Sequence, residues 1–282
     1  MIKIGVTGWG DHDTLYKPGT KSTDKLKEYG AHFPIVELDA SFYAVQPERN
    51  NRKWLRDTPD TFQFIVKAYQ GMTGHQRGDI PFNTKEEMFD AFKLMIGPYE
   101  ETGKLACVLF QFPPWFDCRK EHVDYLRWCK RQMNQTPCAL EFRHESWYLP
   151  GRRESTLEFI RKEGWIHTIC DEPQAGEKSI PIVLEAGAGD RVFVRFHGRN
   201  VHGWNKVGND QHWREVRYLY RYNEAELKDW ANKLKELERQ CGNVYAVFNN
   251  NSGGDAADNA KQMIDLLGLE YDDLAPKQLD LF

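Results

Sequence analysis

Eight short runs rich in β-forming residues recur along the chain, and helical patterns separate almost all of them. The predicted strands lie at 2–9, 35–42, 62–69, 105–112, 138–145, 165–171, 191–198 and 243–250. The predicted helices lie near 22–31, 48–57, 84–101, 119–134, 154–163, 224–241 and 255–268. Strands that alternate with helices form parallel sheets, and eight such units favour one closed barrel over two domains. We therefore predict an α/β fold with a single TIM-like (β/α)8 barrel.

Two connections depart from this repeat. Residues 172–190, between the sixth and seventh strands, are rich in Gly, Pro and Ala and predict an irregular loop. Residues 199–222 contain Trp204, Trp213 and an alternation of Arg and Tyr, and we expect this segment to fold over one mouth of the barrel. No linker divides the chain, so we assign residues 1–270 to the barrel and 271–282 to a C-terminal tail.

Helix starts are marked in three places. Thr84 precedes Glu87 by three residues, which predicts a capping box, and Asn223 is expected to cap the helix that follows it. Asp255 follows Gly253 and Gly254 and is expected either to cap the last helix or to border a backbone phosphate site.

Composition excludes several classes of protein. The chain is 40% hydrophobic and 28% charged, which supplies a sizeable core and argues against global disorder. The net charge of −4 excludes a basic coat over the whole surface for nucleic acid. No apolar run is long enough to span a membrane, and six cysteines without a C-x-x-C pair suit reduced, buried thiols. We expect a cytoplasmic protein.

The alternation within each strand predicts which side chains point into the barrel. The apolar row must face the surrounding helices, so the polar row faces inward near the carboxyl ends of the strands. The polar residues predicted to point inward are Thr7, Glu37, Asp39, Lys67, Gln111, Glu141, Arg143, Asp171, Arg195, His197 and Asn249. The carboxyl end of the strands is the end where barrel enzymes place their chemistry.

This constellation suits the recognition of an anionic ligand, most simply one that carries phosphate. Arg143 and Arg195 would hold the anion through two hydrogen bonds each, and Lys67 would supply a point charge. We assign Glu141, His197 and Asp171 as catalytic residues, because each side chain can transfer a proton once its pKa is tuned. The remaining residues assigned to substrate binding are Thr7, Glu37, Asp39, Tyr43, Gln111, Asn249 and Asn250.

Three alternatives stay open at this stage. The charged residues could form ion pairs that only close the barrel mouth. A labile Mg²⁺ or Mn²⁺ could bind Glu37, Asp39, Glu141 and Asp171, whereas no spacing of histidines indicates a zinc site. Glu141 with Asp171 could also form a carboxylate pair of the glycosidase type, which depends on the distance between them.

Several motifs, taken in order, resemble those of the DUF72 family of YecE-like proteins. They are Thr7-Gly8-Trp9, Val36-Glu37-Leu38, Ser41-Phe42-Tyr43, Phe64-Ile65-Val66-Lys67, Leu109-Phe110-Gln111-Phe112-Pro113-Pro114, Glu141-Phe142-Arg143-His144-Glu145-Ser146-Trp147, Arg195-Phe196-His197-Gly198 and Phe248-Asn249-Asn250. The resemblance covers essentially the whole chain. It implies a TIM-like barrel and carries no settled activity with it.

The tail ends in Gln278-Leu279-Asp280-Leu281-Phe282, which resembles the peptide by which replication and repair proteins bind the β sliding clamp. Pro276 stops helix continuation, Gln278 can donate and accept hydrogen bonds, and Leu281 and Phe282 are apolar anchors. The alternative is a tail that packs these two anchors against its own barrel.

Two hypotheses from different classes follow. The first is a hydrolase or nuclease-like enzyme that acts on phosphorylated or nucleic-acid substrates and is brought to the sliding clamp by its tail. The second is a module without catalysis that senses a ligand and binds the clamp. A glycosidase-like carbohydrate hydrolase is a weaker third alternative.

Overall fold

Eight parallel strands close into one barrel in chain order, β1 to β8. The computed structural model describes residues 1–76, 78–176, 179–187, 189–204 and 216–276. The strands are β1 (Ile2–Thr7), β2 (Ile35–Leu38), β3 (Gln63–Lys67), β4 (Leu105–Gln111), β5 (Cys138–Glu141), β6 (Ile166–Asp171), β7 (Arg191–Phe196) and β8 (Asn243–Phe248). Each strand pairs with the next, and β8 closes on β1. The predicted TIM-like barrel is confirmed.

Helices surround this barrel at almost every crossover. They are α1 (Lys25–Tyr29), α2 (Ala40–Tyr43), α3 (Glu48–Arg56), α4 (Lys85–Glu101), α5 (Lys120–Met133), α6 (Arg153–Lys162), α7 (Val201–Trp204), α8 (Glu224–Cys241) and α9 (Ala256–Leu267). Two short 3₁₀ helices cover Asp13–Leu15 and Glu145–Trp147. All seven predicted helices are present, with boundaries that shift by at most a few residues.

The core has two layers, because each strand faces the helices on one side and the lumen on the other. The larger layer lies between strands and helices and includes Phe64, Phe110 and Phe196. A smaller apolar cluster fills the lower lumen with Ile35, Ile65, Leu109, Phe193 and Val247 among its members. The polar inward residues therefore stand above an apolar floor, at the carboxyl end of the barrel.

The N-caps predicted at Thr84 and Asn223 are both present, but the complete capping box forms at Asn223 and not at Thr84, where it was predicted. The Asn223 side chain accepts from the backbone N–H of Glu226, and Glu226 accepts in return from the backbone N–H of Asn223. Thr84 accepts from the backbone N–H of Glu87, whose carboxylate accepts from Asn83 instead of from Thr84. Asp255 makes no side-chain cap hydrogen bond.

The second strand is shorter than predicted, because the chain turns directly after Leu38. The Ser41 hydroxyl donates to the carbonyl of Leu38 and also lies 2.7 Å from the carbonyl of Lys67. These contacts bind α2 to the top of the barrel, so Asp39 lies directly before a helix, without a side-chain cap hydrogen bond, and is not a strand residue.

The two unusual connections have the predicted character where the structure describes them. The β6–β7 connection has no helix among residues 172–176, 179–187 and 189–190. In the connection after β7, α7 brings Trp204 over the barrel mouth, where its ring centroid lies 6.4 Å from that of His197. Trp213 lies outside the described residues.

The chain returns to the barrel after α9. The Tyr271 hydroxyl accepts from the backbone N–H of Ile4 and donates to the carbonyl of Ile2, and Ala275 donates to the carbonyl of Gly30. The predicted boundary at residue 270 therefore coincides with a segment that still contacts the barrel. None of the described helices is long and apolar enough to cross a membrane.

Candidate functional site

Arg195 lies in the polar lumen and forms hydrogen bonds with two carboxylates. Its Nε and Nη2 donate to the two oxygens of Glu37, at 2.8 and 2.6 Å, and its Nη1 donates to Glu141 at 2.7 Å. All three side chains are buried. Each guanidinium nitrogen of Arg195 therefore already donates to a carboxylate inside the barrel, which disagrees with the predicted role of Arg195 as a ligand-binding residue.

Glu141 is an acceptor of several hydrogen bonds. Gln111 donates to its Oε1 at 2.6 Å, Arg143 donates to the same oxygen at 3.3 Å, and Arg195 occupies Oε2. Arg195 and the neighbouring donors overcome the effect of burial and hold the pKa of Glu141 well below its ordinary value. A carboxylate held in this way is a poor general acid, so the geometry disagrees with that role.

His197 is buried and neutral. In the assigned arrangement the Asn249 amide donates to its Nδ1 at 3.0 Å, and its Nε2 lies 3.3 Å from Glu141. Burial, reinforced by the charge of Arg195, lowers the pKa of His197 to about 3. The structure thus brings His197, Glu141 and Asn249 together as predicted, but it gives the imidazole the character of a fixed neutral hydrogen-bonding group.

Arg143 has a different environment from Arg195, because part of its guanidinium is not used by the protein. Nη1 donates to Glu141, and Nε lies 3.8 Å from Glu172. Nη2 is buried and makes no hydrogen bond with any described residue. The guanidinium also stacks on Trp204, with its central carbon 4.8 Å from the ring centroid.

Glu172 is a residue of the candidate site that the sequence patterns missed. It follows β6 directly, is buried, and accepts from the backbone N–H of Ile180 through Oε1. Its Oε2 makes no hydrogen bond with described residues and faces Arg143 at 3.8 Å. Burial raises the pKa of Glu172 to about 7, although Arg143 opposes this shift. A carboxyl with such a pKa exchanges its proton near neutral pH.

The prediction that Asp171 points inward is wrong. In the β6–β7 register Cys170 pairs with Arg195 and Asp171 pairs with Phe196, so Cys170 faces the lumen and Asp171 faces the helices. Arg199 donates to both Asp171 oxygens at 3.0 Å on that outer side. The predicted pairing of Glu141 with Asp171 in one cavity therefore does not form.

The wrong direction for Asp171 arose from the composition of β6. We took Ile166, Thr168 and Cys170 as the apolar row that faces the helices. In the structure this row lines the lumen, and Glu172 is the next residue in it. Both rows of β6 mix polar and apolar residues, since His167, Ile169 and Asp171 alternate with the first row, so the alternation of β6 carries little information about direction. Glu172 lies two residues after Cys170, which pairs with the lumen-facing Arg195 on β7. Aligning β6 with β7 in this register would have placed Glu172 on the lumen side.

Lys67 forms a second positive centre at the mouth. Its ammonium lies 3.3 Å from Asp39 and 4.9 Å above the ring of Phe42. Tyr43 is 71% exposed and packs edge-on against Phe42, at a centroid distance of 5.3 Å. Thr7 pairs in register with Glu37, and its buried hydroxyl has no hydrogen-bond partner among the described residues.

Asn250 does not belong to this group. Its amide donates to the carbonyl of Tyr220 and to the side chain of Asn259 on α9, beneath the helices that surround the barrel. It therefore fastens the connection after β7 to α9. The prediction that it binds substrate has no support in this geometry.

Tyr218 lies within the cationic side of the mouth. Its ring centroid is 5.9 Å from that of His197, and Arg217 lies over the neighbouring Trp204 ring at 4.4 Å. Burial opposes ionisation of the Tyr218 hydroxyl, but Arg217, Arg143 and further cations outweigh it and lower the pKa. This side of the mouth consequently favours negative charge.

A model of a protein family, described as "Protein of unknown function DUF72", matches residues 3–280. The chain belongs to the DUF72 family. The resemblance of its motifs to DUF72 sequences is thus confirmed over nearly the whole length. The family description itself assigns no activity.

Relatives of this DUF72 chain agree in length and fold. UPF0759 protein YunF from Bacillus subtilis is 66% identical, and the match covers 100% of both chains. The crystal structure of a DUF72 family protein from Enterococcus faecalis shares 38% identity with a TM-score of 0.92, and covers 99% of this chain and 100% of that one. A DUF72 protein from Thermotoga maritima shares 33% identity, with a TM-score of 0.81 and coverage of 95% and 100%.

The donor set of this DUF72 site does not suit a divalent metal. Glu141, Cys170 and His197 place possible ligand atoms within 4.8 Å of one another. Two guanidinium groups already bind Glu141, so both of its oxygens are occupied by cationic donors. The four carboxylates predicted to bind Mg²⁺ or Mn²⁺ do not lie together in one site. Asp39 is paired with Lys67, and Asp171 lies on the outer face.

Proposed function

We propose that this DUF72 barrel is an acid/base enzyme that binds a small anionic group, most simply a phosphate ester, at its mouth. The observation that carries the proposal is the unpaired Nη2 of Arg143, a charged donor that is buried in the lumen. Burial of a charged donor without a partner costs free energy, and a ligand oxygen would recover that cost. The cations that surround Tyr218 support the same sign of ligand.

Glu172 would transfer the proton in this enzyme. Its unpaired Oε2 lies on the same side of the lumen as Arg143, and its pKa of about 7 allows both protonation states at neutral pH. A phosphate held by Arg143 would therefore have a proton donor or acceptor beside it. In this proposal Glu172 replaces Asp171 and Glu141 as the general acid/base, while Glu141 and His197 position Arg143.

The test is a set of phosphate monoesters and diesters, assayed for hydrolysis and for an increase in melting temperature. We expect Arg143→Lys to weaken ligand binding, because lysine keeps the charge but lacks the planar guanidinium that can bind two phosphate oxygens at once. Arg199→Lys is the matched control, since Arg199 pairs with a carboxylate on the outer face. Equal effects of the two substitutions, or no response to any ester, would contradict the proposal.

Glu172→Gln separates the enzyme from a ligand sensor without catalysis. The amide keeps the shape of the side chain and removes its titration. An enzyme would keep its ligand-induced stabilisation and lose about 10²–10⁴-fold in turnover. If Glu172→Gln leaves all cellular phenotypes and every measured turnover unchanged, the sensor is the correct alternative.

We further propose that the tail binds the β sliding clamp through Gln278, Leu279, Asp280, Leu281 and Phe282. These residues lie outside the described residues, so the proposal rests on the peptide sequence. The described chain ends at Pro276, after Ala275 contacts Gly30. A pulldown with immobilised clamp, comparing the full chain with a deletion of residues 278–282, tests it. Equal retention of both proteins would refute this role.

A further inference from the structure

An aromatic surface borders the cationic mouth, formed by three loops that follow neighbouring strands. Phe42 and Tyr43 lie on α2 after β2, His75 follows β3, and Trp115 follows β4. Successive ring centroids are close, at 5.3 Å from Tyr43 to Phe42, 5.2 Å from Phe42 to His75, and 5.9 Å from His75 to Trp115. We call these four residues the aromatic rim.

The two end residues of the aromatic rim are its most exposed members. Tyr43 is 71% exposed and Trp115 is 54% exposed. In the described part of the chain they are the exposed aromatic side chains, and both lie on this one rim. A packing role would bury such rings, whereas stacking on a ligand requires an accessible face.

The aromatic rim is continuous with the anion site. The ammonium of Lys67 lies 4.9 Å above the Phe42 ring, and burial together with the charges of Lys67 and Arg143 keeps His75 neutral. A ligand that reaches Lys67 or Arg143 with an anionic group therefore lies beside uncharged rings. Aromatic side chains next to cations are the combination that binds nucleotides by stacking the base and neutralising the phosphate.

We propose that the substrate is a nucleotide, whose base stacks on the aromatic rim while its phosphate reaches Lys67 and Arg143. The proposal rests on the anion site described above and adds the substrate class. Neutral carbohydrates also stack on aromatic rings, but they leave the buried charge of Arg143 without a partner. The paired cations and rings favour a ligand that has both a flat base and an anion.

Isothermal titration with four probes tests this inference: inorganic phosphate, ribose 5-phosphate, adenosine 5′-monophosphate and cellotriose. We expect the nucleotide to bind about tenfold or more tightly than ribose 5-phosphate, because the base adds a stacking contact. Trp115→Ala and Tyr43→Ala should reduce this preference. Trp115→Phe, which keeps a ring, should retain most of it, and Leu94→Ala, an exposed site on α4, should change nothing.

The outcomes separate this inference from the proposed function. If ribose 5-phosphate and the nucleotide bind equally well, the aromatic rim does not bind the base. The nucleotide inference then fails, while the anion site remains supported. If cellotriose binds and depends on Trp115, the ligand is a carbohydrate and the inference is overturned. If none of the phosphorylated probes binds, the anion site fails and the nucleotide proposal fails with it.

Discussion

Arg195 on β7 binds both carboxylate oxygens of Glu37 on β2, at 2.6 and 2.8 Å, across the interior of the barrel. The two residues are 158 positions apart in sequence, and both are at most 1% exposed. A third strand joins them through Glu141. The network links strands β2, β5 and β7 across the barrel and forms the polar layer directly above its apolar floor.

Replacing Arg195 with Met should destabilise the protein strongly. The change leaves Glu37 and Glu141 buried without their cation, which typically costs about 3–5 kcal/mol in the free energy of unfolding. Arg191→Met is the control on the same strand, since Arg191 is one-third exposed, pairs with the exposed Asp190 and donates one hydrogen bond to the carbonyl of Ala106. We expect that change to cost about 1–2 kcal/mol. Urea unfolding measures both, and similar values would contradict the central role of Arg195.

Two adjacent carboxylates should respond in opposite ways to amide substitution. Asp171→Asn weakens the pair with Arg199 on the outer face, so we expect a loss of stability of about 1–3 kcal/mol with unchanged turnover of the folded protein. Glu172→Gln should lower turnover and leave the fold intact. Hydrolysis rates per folded molecule, with the folded fraction from circular dichroism, distinguish them. Loss of turnover in Asp171→Asn alone would restore Asp171 as the catalytic residue.

Glu172 should make the protein less stable as the pH rises through neutrality. In the folded state its pKa is about 7, whereas an unperturbed glutamate has a value of 4.5. The folded state therefore binds more protons between these values, and the free energy of unfolding falls as the pH rises through this window. Relative to Glu172→Gln, the wild type should lose about 2–3 kcal/mol between pH 5 and pH 8. Parallel pH profiles of the two proteins would show that Glu172 is not the buried proton carrier.

His197 should act on stability with the opposite sign. Its pKa is about 3 in the folded state and 6.5 for an unperturbed histidine, so the unfolded chain takes up the proton first as the pH falls. The free energy of unfolding then decreases below pH 6.5, by about 2 kcal/mol between pH 7 and pH 5. His197→Gln removes this dependence. An unchanged acid limb in that variant would mean that folding does not lower the pKa of His197.

Sequence periodicity predicted the barrel and most of its polar lumen because seven strands have one clearly apolar face. The inward positions of Glu37, Lys67, Glu141 and Arg195 followed from that alternation alone. Two kinds of information were missing. The first concerns β6, whose two rows both mix polar and apolar residues, so its alternation did not reveal that Glu172 follows the lumen-facing row.

The second missing piece of information was the pairing of Arg195 with both Glu37 and Glu141. A list of inward charges does not state which cation meets which anion, and only the three-dimensional arrangement separates Arg195 from the partly unused Arg143. Asp39 was misplaced on a strand for a local reason. The hydrogen bonds of Ser41 turn the chain into α2 one residue after Leu38.

The start of α8 offers a test of local structure that is independent of the site. Asn223 and Glu226 form a reciprocal capping box, so Asn223→Ala leaves backbone N–H groups at the helix start without a partner. We expect the free energy of unfolding to fall by about 1 kcal/mol. Asp255→Ala is the matched control, because Asp255 occupies the equivalent position of α9 without a side-chain cap hydrogen bond and pairs with the exposed Arg221. Thermal unfolding should show a clear decrease for Asn223→Ala and a change within about 0.5 kcal/mol for Asp255→Ala. A larger loss at Asp255 would mean that its pair with Arg221 stabilises the last helix more than the capping box stabilises α8.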